Sequence, residues 1–214
     1  TVITGILGMD GAHLAQKLLE GGHEVYGAIR PTSHHNYWRL DKLKIKDDIC
    51  LQCVDLLDPA SIGSYIRNIQ PDYIYNLAAQ SHVGKSFQCP SVTIQVNSLV
   101  PLYLFDAVKQ FKPDTKIYQA STSEMYGNQE PNLFGLDEYS TFKPASPYGV
   151  GKLAAHQLAD IYRKSYGLWI SCGILFNHES PLRGNEFVTA KICQGLAKFK
   201  RTREKIKLGN INSF

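Results

Sequence analysis

Six short apolar runs alternate with helical patterns along the chain, and this alternation limits the possible folds more than any other feature. The runs occupy residues 1–4, 23–30, 49–56, 72–79, 116–121 and 169–176. Strands separated by helices of such length pair in parallel through right-handed crossovers, and helices then cover both faces of the sheet. The sequence therefore predicts an α/β fold with a Rossmann-like, doubly wound parallel sheet.

Helical periodicity connects these runs. Patterns typical of helices cover residues 11–22, 59–69, 91–111, 148–167 and 185–199. Asp58 is the expected N-cap of the second helix, with Pro59 at its first position. The third helix is expected to bend near Pro101 because proline cannot donate a backbone hydrogen bond. Residues 208–214 resemble a further strand.

Composition excludes several functional classes. The 214 residues are 43% hydrophobic and 20% charged, as is usual for a soluble globular protein. No run of about 18 apolar residues predicts a membrane span, and the N-terminus does not resemble a signal peptide. A net charge of +4 suits an anionic ligand but is too small to indicate nucleic acid.

The five cysteines are odd in number and lack the spacing of a disulfide framework. Cys50 and Cys53 form a CxxC pair within a strand-like run, but no second pair or histidine cluster completes a zinc site. His34 and His35 are expected in a solvated or subunit-contacting loop. We therefore expect free thiols, a reducing cytoplasmic location and no bound metal.

The first strand is followed directly by a glycine-rich turn and then by the first helix. The GxxGxxG spacing is typical of short-chain dehydrogenases/reductases, in which the turn and the helix N-terminus hold a pyrophosphate. The expected cofactor contacts in this turn are Gly5, Ile6, Leu7, Gly8, Met9, Asp10 and Gly11.

The end of the second strand favours NADP over NAD. A carboxylate there would bind the ribose 2′-hydroxyl of NAD, whereas an arginine accommodates the 2′-phosphate of NADP. This strand ends in Arg30, with Thr32 and Ser33 nearby and no acidic residue. Further cofactor contacts are expected at the carboxyl ends of the third and fourth strands, at Asp55, Leu56, Leu77, Ala78, Ala79, Gln80 and Ser81.

Tyr148 and Lys152 stand four residues apart on a predicted helix, so they share one face. An ammonium beside the phenol is expected to lower the tyrosine pKa, so that the phenolate can take a hydroxyl proton while hydride leaves the same carbon. The fifth strand ends in the polar sequence STSE. On an extended backbone, Thr122 and Glu124 are expected to project to the same side, toward Tyr148.

The motifs TGILGMDGAHLA, NLAAQSHV, QASTSEMYG, SPYGVGKLAAH and GILFNHESPLRG, in this order, resemble the GDP-mannose 4,6-dehydratase family of extended short-chain dehydrogenases/reductases. The resemblance implies NADP-dependent dehydration of GDP-mannose by internal hydride transfer from C4 to C6. Thr122 would bind the sugar O4, Tyr148 would deprotonate O4, and Glu124 would be the acid/base at C5 and C6. Lys152 would tune Tyr148 and hold the nicotinamide ribose.

The same resemblance implies further contacts and an assembly. It adds Pro31, His178 and Arg183 to the cofactor site, and it assigns the GDP-sugar to Asn177, Val188 and Lys191. Residues 1–184 would form the NADP-binding domain with the catalytic residues, and 185–214 would begin a smaller substrate part that is largely missing from this chain. A homo-oligomer, either a dimer or a tetramer, is expected.

Other members of the extended family stay open as alternatives. The stretch 131–145 is longer than expected between the STSE strand and the YxxxK helix, and it could reshape the sugar pocket for a GDP-linked heptose. A sugar-nucleotide epimerase or reductase would not need a carboxylate at Glu124. A non-catalytic NADP-binding protein would not need the four catalytic residue types.

Overall fold

The computed structural model describes residues 1–129 and 135–208, and the chain divides into two compact units. The first unit is Thr1–Phe176, and the second begins at Asn177. The division therefore falls eight residues before 185, where the sequence predicted the substrate part to begin. That functional boundary stays a prediction.

The first unit contains a six-stranded sheet. Its strands are β1 Val2–Thr4, β2 Tyr26–Ile29, β3 Cys50–Cys53, β4 Tyr73–Asn76, β5 Lys116–Ala120 and β6 Ile170–Gly173. They lie in the order β3-β2-β1-β4-β5-β6, and every neighbouring pair is parallel. The predicted doubly wound Rossmann-like sheet is confirmed. The order reverses between β1 and β4, and ligands bind at the carboxyl ends of the strands there.

Helices connect the strands. They are α1 Met9–Glu20, α2 Trp38–Leu43, α3 Pro59–Ile69, α4 Val83–Ser86, α5 Pro90–Ile94, α6 Val100–Phe111, α7 Pro147–Tyr166 and, in the second unit, α8 Val188–Thr202. Helix α3 has the predicted bounds, and the Asp58 carboxylate accepts hydrogen bonds from the amides of Ala60 and Ser61. The short helices α2 and α4 were not predicted.

The predicted long helix 91–111 is interrupted by a π-helical stretch, Gln95–Leu99, which joins α5 to α6. Pro101 lies in the first turn of α6, where it cannot donate to the carbonyl of Asn97. The helix widens at this point, and such π-helical turns are frequent at functional sites.

The stretch Pro90–Phe111 is long and apolar enough to cross a membrane, with a mean hydropathy of 1.2 over 18 residues. Half of that window is buried inside the fold, and α6 packs against α3 and α7. Core packing therefore accounts for its apolar composition.

The main core lies between one face of the sheet and helices α3, α6 and α7. Alternate strand residues such as Ile74 and Ile117 face Ile66, Phe105 and Val108 from these helices. This packing fixes α7 against β5 and β6, and it thereby positions the residues that α7 carries.

Residues 135–145 lie against the segment that follows β5. The amide of Lys143 donates to the carbonyl of Met125 at 2.9 Å, and the Tyr126 hydroxyl donates to the carbonyl of Asp137 at 2.7 Å. Gly127 has a φ of +68°, and a Cβ there would lie 1.9 Å from the Lys143 oxygen. The described part of the predicted long loop is thus fixed by backbone contacts.

All five cysteines are free, and Cys50 and Cys53 lie exposed on the edge strand β3. In the second unit, α8 ends at Thr202, and none of its residues is buried. Leu208 is not part of a strand, and the remainder of the strand predicted over 208–214 lies outside the described residues.

Candidate active site

The glycine-rich turn between β1 and α1 has a backbone that only glycine fits. Gly5 has a φ of +72°, and a Cβ there would lie 2.8 Å from the amide nitrogen of Ala78. A Cβ on Gly11 would lie 2.5 Å from the Gly5 oxygen, and the Gly8 amide donates to that oxygen at 2.9 Å. Gly8 caps α1 without a side-chain hydrogen bond. The turn therefore has the shape and the helix N-terminus that a pyrophosphate requires.

The segment after β2 forms a polar turn beside the glycine turn. Arg30, Pro31, Thr32 and Ser33 are all exposed. The Thr32 hydroxyl donates to the His34 carbonyl at 2.8 Å, and His35 Nε2 lies 2.8 Å from the Arg30 oxygen. Among the described residues, no group of three or more potential ligands could hold a metal.

Arg39 was not predicted as a site residue. Its guanidinium donates from Nη1 to the carbonyl of Leu7 at 3.0 Å, so α2 is joined to the glycine turn. The guanidinium also lies over the Trp38 ring, with Cζ 4.6 Å from the ring centre. Its only signal in the sequence is a basic residue shortly after β2.

The ends of β3 and β4 are fixed by different side chains. Asp55 follows β3, and its carboxylate accepts from the Leu57 amide at 2.9 Å, which stabilises the turn that contains Leu56. Residues Leu77 to Ser81 follow β4. The side chain of Asn97 accepts from the Gln80 amide at 2.9 Å and donates to the Gln80 carbonyl at 3.1 Å.

Asn97 belongs to the π-helical stretch and is nearly fully buried. Sequence periodicity did not single it out because Asn97 is one of several polar residues in this predicted helix. Its position next to Gln80 depends on the widened turn. A residue far along the chain thus holds the predicted cofactor loop 77–81.

A buried hydrogen-bond chain crosses three strands beneath the site. Thr4 Oγ1 donates to Asn76 Oδ1 at 2.6 Å, and Asn76 Nδ2 donates to Gln119 Oε1 at 2.7 Å. Gln119 Nε2 and Lys152 Nζ both donate to the carbonyl oxygen of Ala120, at 3.0 and 2.9 Å. Because buried polar groups need partners, this chain fixes the carboxyl ends of β1, β4 and β5 relative to α7.

Tyr148 and Lys152 lie on α7 as predicted, and both are buried. Burial lowers the pKa of Lys152 to about 8. Burial also raises the pKa of Tyr148, while a hydrogen bond with Thr122 lowers it and the nearby charge of Glu124 raises it further. The prediction that Lys152 lowers the pKa of Tyr148 was wrong for the protein without a ligand. Desolvation of the phenol is the largest effect on its pKa, and the Lys152 ammonium donates to the Ala120 carbonyl instead.

The backbone of residues 122–124 also differs from the prediction. β5 ends at Ala120, and Thr122 begins a single 3-10 turn, Ser123–Met125, accepting a hydrogen bond from the Glu124 amide at 3.2 Å. The predicted extended backbone was therefore wrong. Thr122 and Glu124 nevertheless both act on Tyr148, the first by a hydrogen bond and the second by its charge.

Gly149 permits this arrangement at the start of α7. A Cβ on Gly149 would lie 2.7 Å from the carbonyl oxygen of Glu124. The Ser146 hydroxyl caps the helix by accepting from the Gly149 amide at 3.1 Å. The small residue after Tyr148 thus lets the helix approach the turn that carries Glu124.

The second unit contains the predicted contacts Asn177, His178, Arg183, Val188 and Lys191. Arg183 Nε lies 3.2 Å from Glu179 Oε2, at ion-pair distance but without hydrogen-bond geometry. The Arg183 guanidinium packs on the Phe187 ring at 3.6 Å, and Val188 is exposed. These contacts lie within the second unit, so the roles of its residues toward cofactor and sugar stay predictions.

Lys191 borders a cavity of about 350 Å³ within the second unit. Three more lysines line it, Lys198, Lys205 and Lys207, together with Glu204. Lys198 and Glu204 form an ion pair at 2.6 Å. The excess of ammonium groups suits an anionic ligand.

In the first unit, a phenol, a hydroxyl, a carboxylate and an ammonium meet at the carboxyl edge of the sheet. This edge also carries the glycine turn. Such a set can move protons at a substrate carbon held beside a dinucleotide. The roles of these residues toward a cofactor and a substrate stay predictions.

Comparison with known sequences places the chain in a family. The family model described as GDP-mannose 4,6 dehydratase matches residues 2–214. GDP-mannose 4,6-dehydratase of Vibrio cholerae serotype O1 is 43% identical over 99% of this chain and 58% of its own length. The human GDP-mannose 4,6 dehydratase is 42% identical, covering 99% of this chain and 59% of its own length. The chain thus spans about three fifths of the length of these relatives.

Solved structures share the fold at lower identity. UDP-N-acetylglucosamine 4-epimerase from Methanobrevibacter ruminantium is 27% identical with a TM-score of 0.81, covering 92% of this chain and 62% of its own. UDP-glucuronic acid 4-epimerase from Bacillus cereus, in complex with UDP-glucuronic acid and NAD, is 26% identical with a TM-score of 0.79 and the same coverage. Since the family model matches almost every residue, this chain belongs to the GDP-mannose 4,6 dehydratase family.

Proposed function

We propose that the full-length protein dehydrates GDP-D-mannose to GDP-4-keto-6-deoxy-D-mannose. The observation that carries the proposal is the grouping of Thr122 and Glu124 around the Tyr148 phenol beside the glycine turn. The names of relatives that are 42 and 43% identical along the chain support the substrate and the lyase reaction.

The first step needs a base at the sugar O4. Tyr148 takes the O4 proton, and the Thr122 hydroxyl, which lies close enough to the phenol to lower its pKa, holds O4 in place. The ammonium of Lys152 lies one helical turn away on the same face of α7, where it is proposed to hold the nicotinamide ribose. A dinucleotide held by the glycine turn would supply the acceptor for hydride from C4 and the donor of that hydride to C6.

The elimination step needs a carboxylate. The 4-keto group acidifies the C5 proton, and Glu124 removes this proton and passes it to the C6 hydroxyl, which leaves as water. When hydride reaches C6, a proton returns to C5, and the proton that Tyr148 took from O4 balances this gain. Glu124 is half-buried and close enough for its charge to act on Tyr148. It can therefore reach the same sugar that Tyr148 holds.

The proposed cofactor is NADP. The glycine turn at the N-terminus of α1 supports a pyrophosphate there, and Arg30 directly after β2 supports a 2′-phosphate. The Bacillus cereus structure contains NAD, so the choice of dinucleotide has to be measured. Dissociation constants for NADP and NAD decide it, and tighter binding of NAD overturns the assignment.

The proposed sugar contacts are Asn177, Val188 and Lys191. The lysine-lined cavity beside Lys191 supports binding of a diphosphate. His178 and Arg183 are proposed to contact the cofactor. We also propose a cytoplasmic homo-oligomer, a dimer or a tetramer.

The test is incubation of full-length protein with GDP-mannose and, separately, with GDP-linked heptose and UDP-sugars. Loss of one water from GDP-mannose, with formation of a 4-keto group, is the expected result. The fold shared with two 4-epimerases makes epimerisation the second candidate. A product of unchanged mass and inverted configuration at C4 would favour it and overturn the dehydratase assignment.

A further inference from the structure

Three consecutive residues at the end of β5 are each joined to one residue of α7. Ala120 accepts a hydrogen bond from Lys152 at 2.9 Å, and the Thr122 hydroxyl lies near the Tyr148 phenol and lowers its pKa. Between them, Ser121 Oγ lies 2.9 Å from His156 Nδ1. Tyr148, Lys152 and His156 are spaced by four residues, so they form one row on the face of α7 that meets the strand end.

Ser121 and His156 are the members of this row to which the proposed reaction gives no role. Ser121 is 2% exposed, and His156 is half-buried. A buried hydroxyl that lost its histidine partner would leave a polar group unsatisfied, so the contact constrains the strand end.

The backbone around Ser121 is attached to β6 on one side. The amides of Ser121 and Ser123 donate to the carbonyls of Gly173 and Leu175, at 2.9 and 2.8 Å. Beyond Ala120 the regular strand has ended and the 3-10 turn begins. The backbone conformation between the end of β5 and the 3-10 turn determines where the Thr122 hydroxyl lies.

His156 is itself held by an aromatic contact from the segment 135–145. Its ring meets the edge of Phe142 at a centroid distance of 5.4 Å and an angle of 68°. Phe142 in turn packs on Tyr126 at 5.1 Å. The imidazole therefore has a fixed orientation that presents Nδ1 to Ser121.

We propose that His156 is a positioning residue. Through Ser121 it holds the backbone after β5 so that the Thr122 hydroxyl stays beside the Tyr148 phenol. The inference rests on the proposed function, because its consequence is the alignment of the sugar O4 with the phenol. His156 does not touch the sugar or the cofactor. It acts on turnover through the geometry of Thr122.

The test uses full-length protein, four single variants and the double variant His156→Phe/Ser121→Ala. His156→Phe keeps a ring against Phe142 but removes the Ser121 contact, whereas His156→Asn keeps an acceptor near the Nδ1 position. Ser121→Ala removes the other partner. His23→Phe is the matched control, since His23 is an exposed histidine that also meets an aromatic ring edge-on, at 6.3 Å from Tyr73.

We expect His156→Phe and Ser121→Ala each to lower kcat about tenfold, less than the roughly hundredfold that a 1 Å misplacement can produce. KM for GDP-mannose and the Kd for NADP should change less than about twofold, and the double variant should be no slower than either single variant. His156→Asn should recover most of kcat, and His23→Phe should match the parent. Full turnover by His156→Phe, or equal losses in His156→Asn and His156→Phe, would overturn the proposal.

Backbone amide exchange gives a second readout that does not depend on turnover. The amides of Ser121 and Ser123 should exchange faster in His156→Phe and in Ser121→Ala than in the parent, and both should exchange as in the parent in His23→Phe. If the parent does not dehydrate GDP-mannose, the proposed function fails and amide exchange alone decides the positioning role. Unchanged exchange at both amides in His156→Phe then overturns it.

Discussion

Lys152 Nζ lies 2.9 Å from the carbonyl oxygen of Ala120, so the ammonium of the YxxxK motif is bound to the last residue of the strand that precedes Thr122. The lysine is fully buried, and its attachment point is the last residue of β5. This contact joins helix and strand at the residue before the polar cluster. Lys152 therefore has a structural role in the protein alone, in addition to any role toward a cofactor.

The buried amine of Lys152 predicts an unusual dependence of stability on pH. Its pKa is about 8 in the folded chain and about 10.4 when unfolded. Between those pH values the unfolded chain retains the Lys152 proton that the folded chain has lost. The contribution of Lys152 to the free energy of unfolding therefore increases as the pH rises. In Lys152→Met this contribution disappears. The unfolding free energy of the parent minus that of the variant should increase by roughly 1 kcal/mol per pH unit above about pH 8.

Urea unfolding between about pH 7 and pH 10 measures that difference. Lys164→Met is the control, because Lys164 is on the same helix but exposed. Its difference from the parent should not rise in this way. A difference for Lys152→Met that stays flat or falls contradicts the prediction.

Glu124→Gln separates binding from elimination. The variant should bind NADP within about twofold of the parent, because the glycine turn is untouched. Turnover should fall by roughly 10²–10⁴, the usual contribution of general acid–base catalysis. Water loss from GDP-mannose and exchange of the C5 proton with solvent measure the effect. The exposed Glu138→Gln is the control, and parental turnover in Glu124→Gln would remove the acid/base role.

Gly5→Ala and Gly22→Ala differ in what the added Cβ would contact. Both glycines have positive φ, +72° and +78°, but a Cβ on Gly22 meets nothing within 4 Å, while one on Gly5 meets the backbone after β4. We expect Gly22→Ala to lower the free energy of unfolding by about 1 kcal/mol, from backbone strain alone. Gly5→Ala should lower it by at least about 3 kcal/mol and abolish NADP binding. Denaturant titration and fluorescence binding test both claims, and equal losses would exclude the steric argument.

Asn97→Ala tests whether the π-helical stretch supports the cofactor loop. The change leaves the backbone amide and carbonyl of Gln80 without their partners. We expect a loss of about 2 kcal/mol in unfolding free energy and a weaker Kd for NADP. The exposed Asn128→Ala should alter neither quantity. An unchanged Kd in Asn97→Ala would show that residues 77–81 keep their shape without this support.

Local sequence was sufficient to predict the architecture of the sheet and part of the site. Alternating apolar runs predicted the parallel sheet, the Asp58–Pro59 pair predicted the start of α3, and the glycine spacing predicted the turn before α1. Each of these features depends on neighbouring residues or on a short period. Their physical causes are capping, backbone conformation and the burial of one helix face, which are all encoded within a few positions.

The remaining features depend on residues far apart in the chain. The pKa of Tyr148 rises because tertiary packing desolvates the phenol, a cause that the YxxxK spacing does not contain. The hydrogen-bond chain from Thr4 to Ala120 and the contact of Ser121 with His156 exist only after the strands and α7 have packed. The sequence by itself determined the sheet, the glycine turn and the residue types at its edge. Tertiary structure alone decided which of these groups are buried, paired and aligned, because desolvation and hydrogen bonding act between segments that the chain order keeps apart.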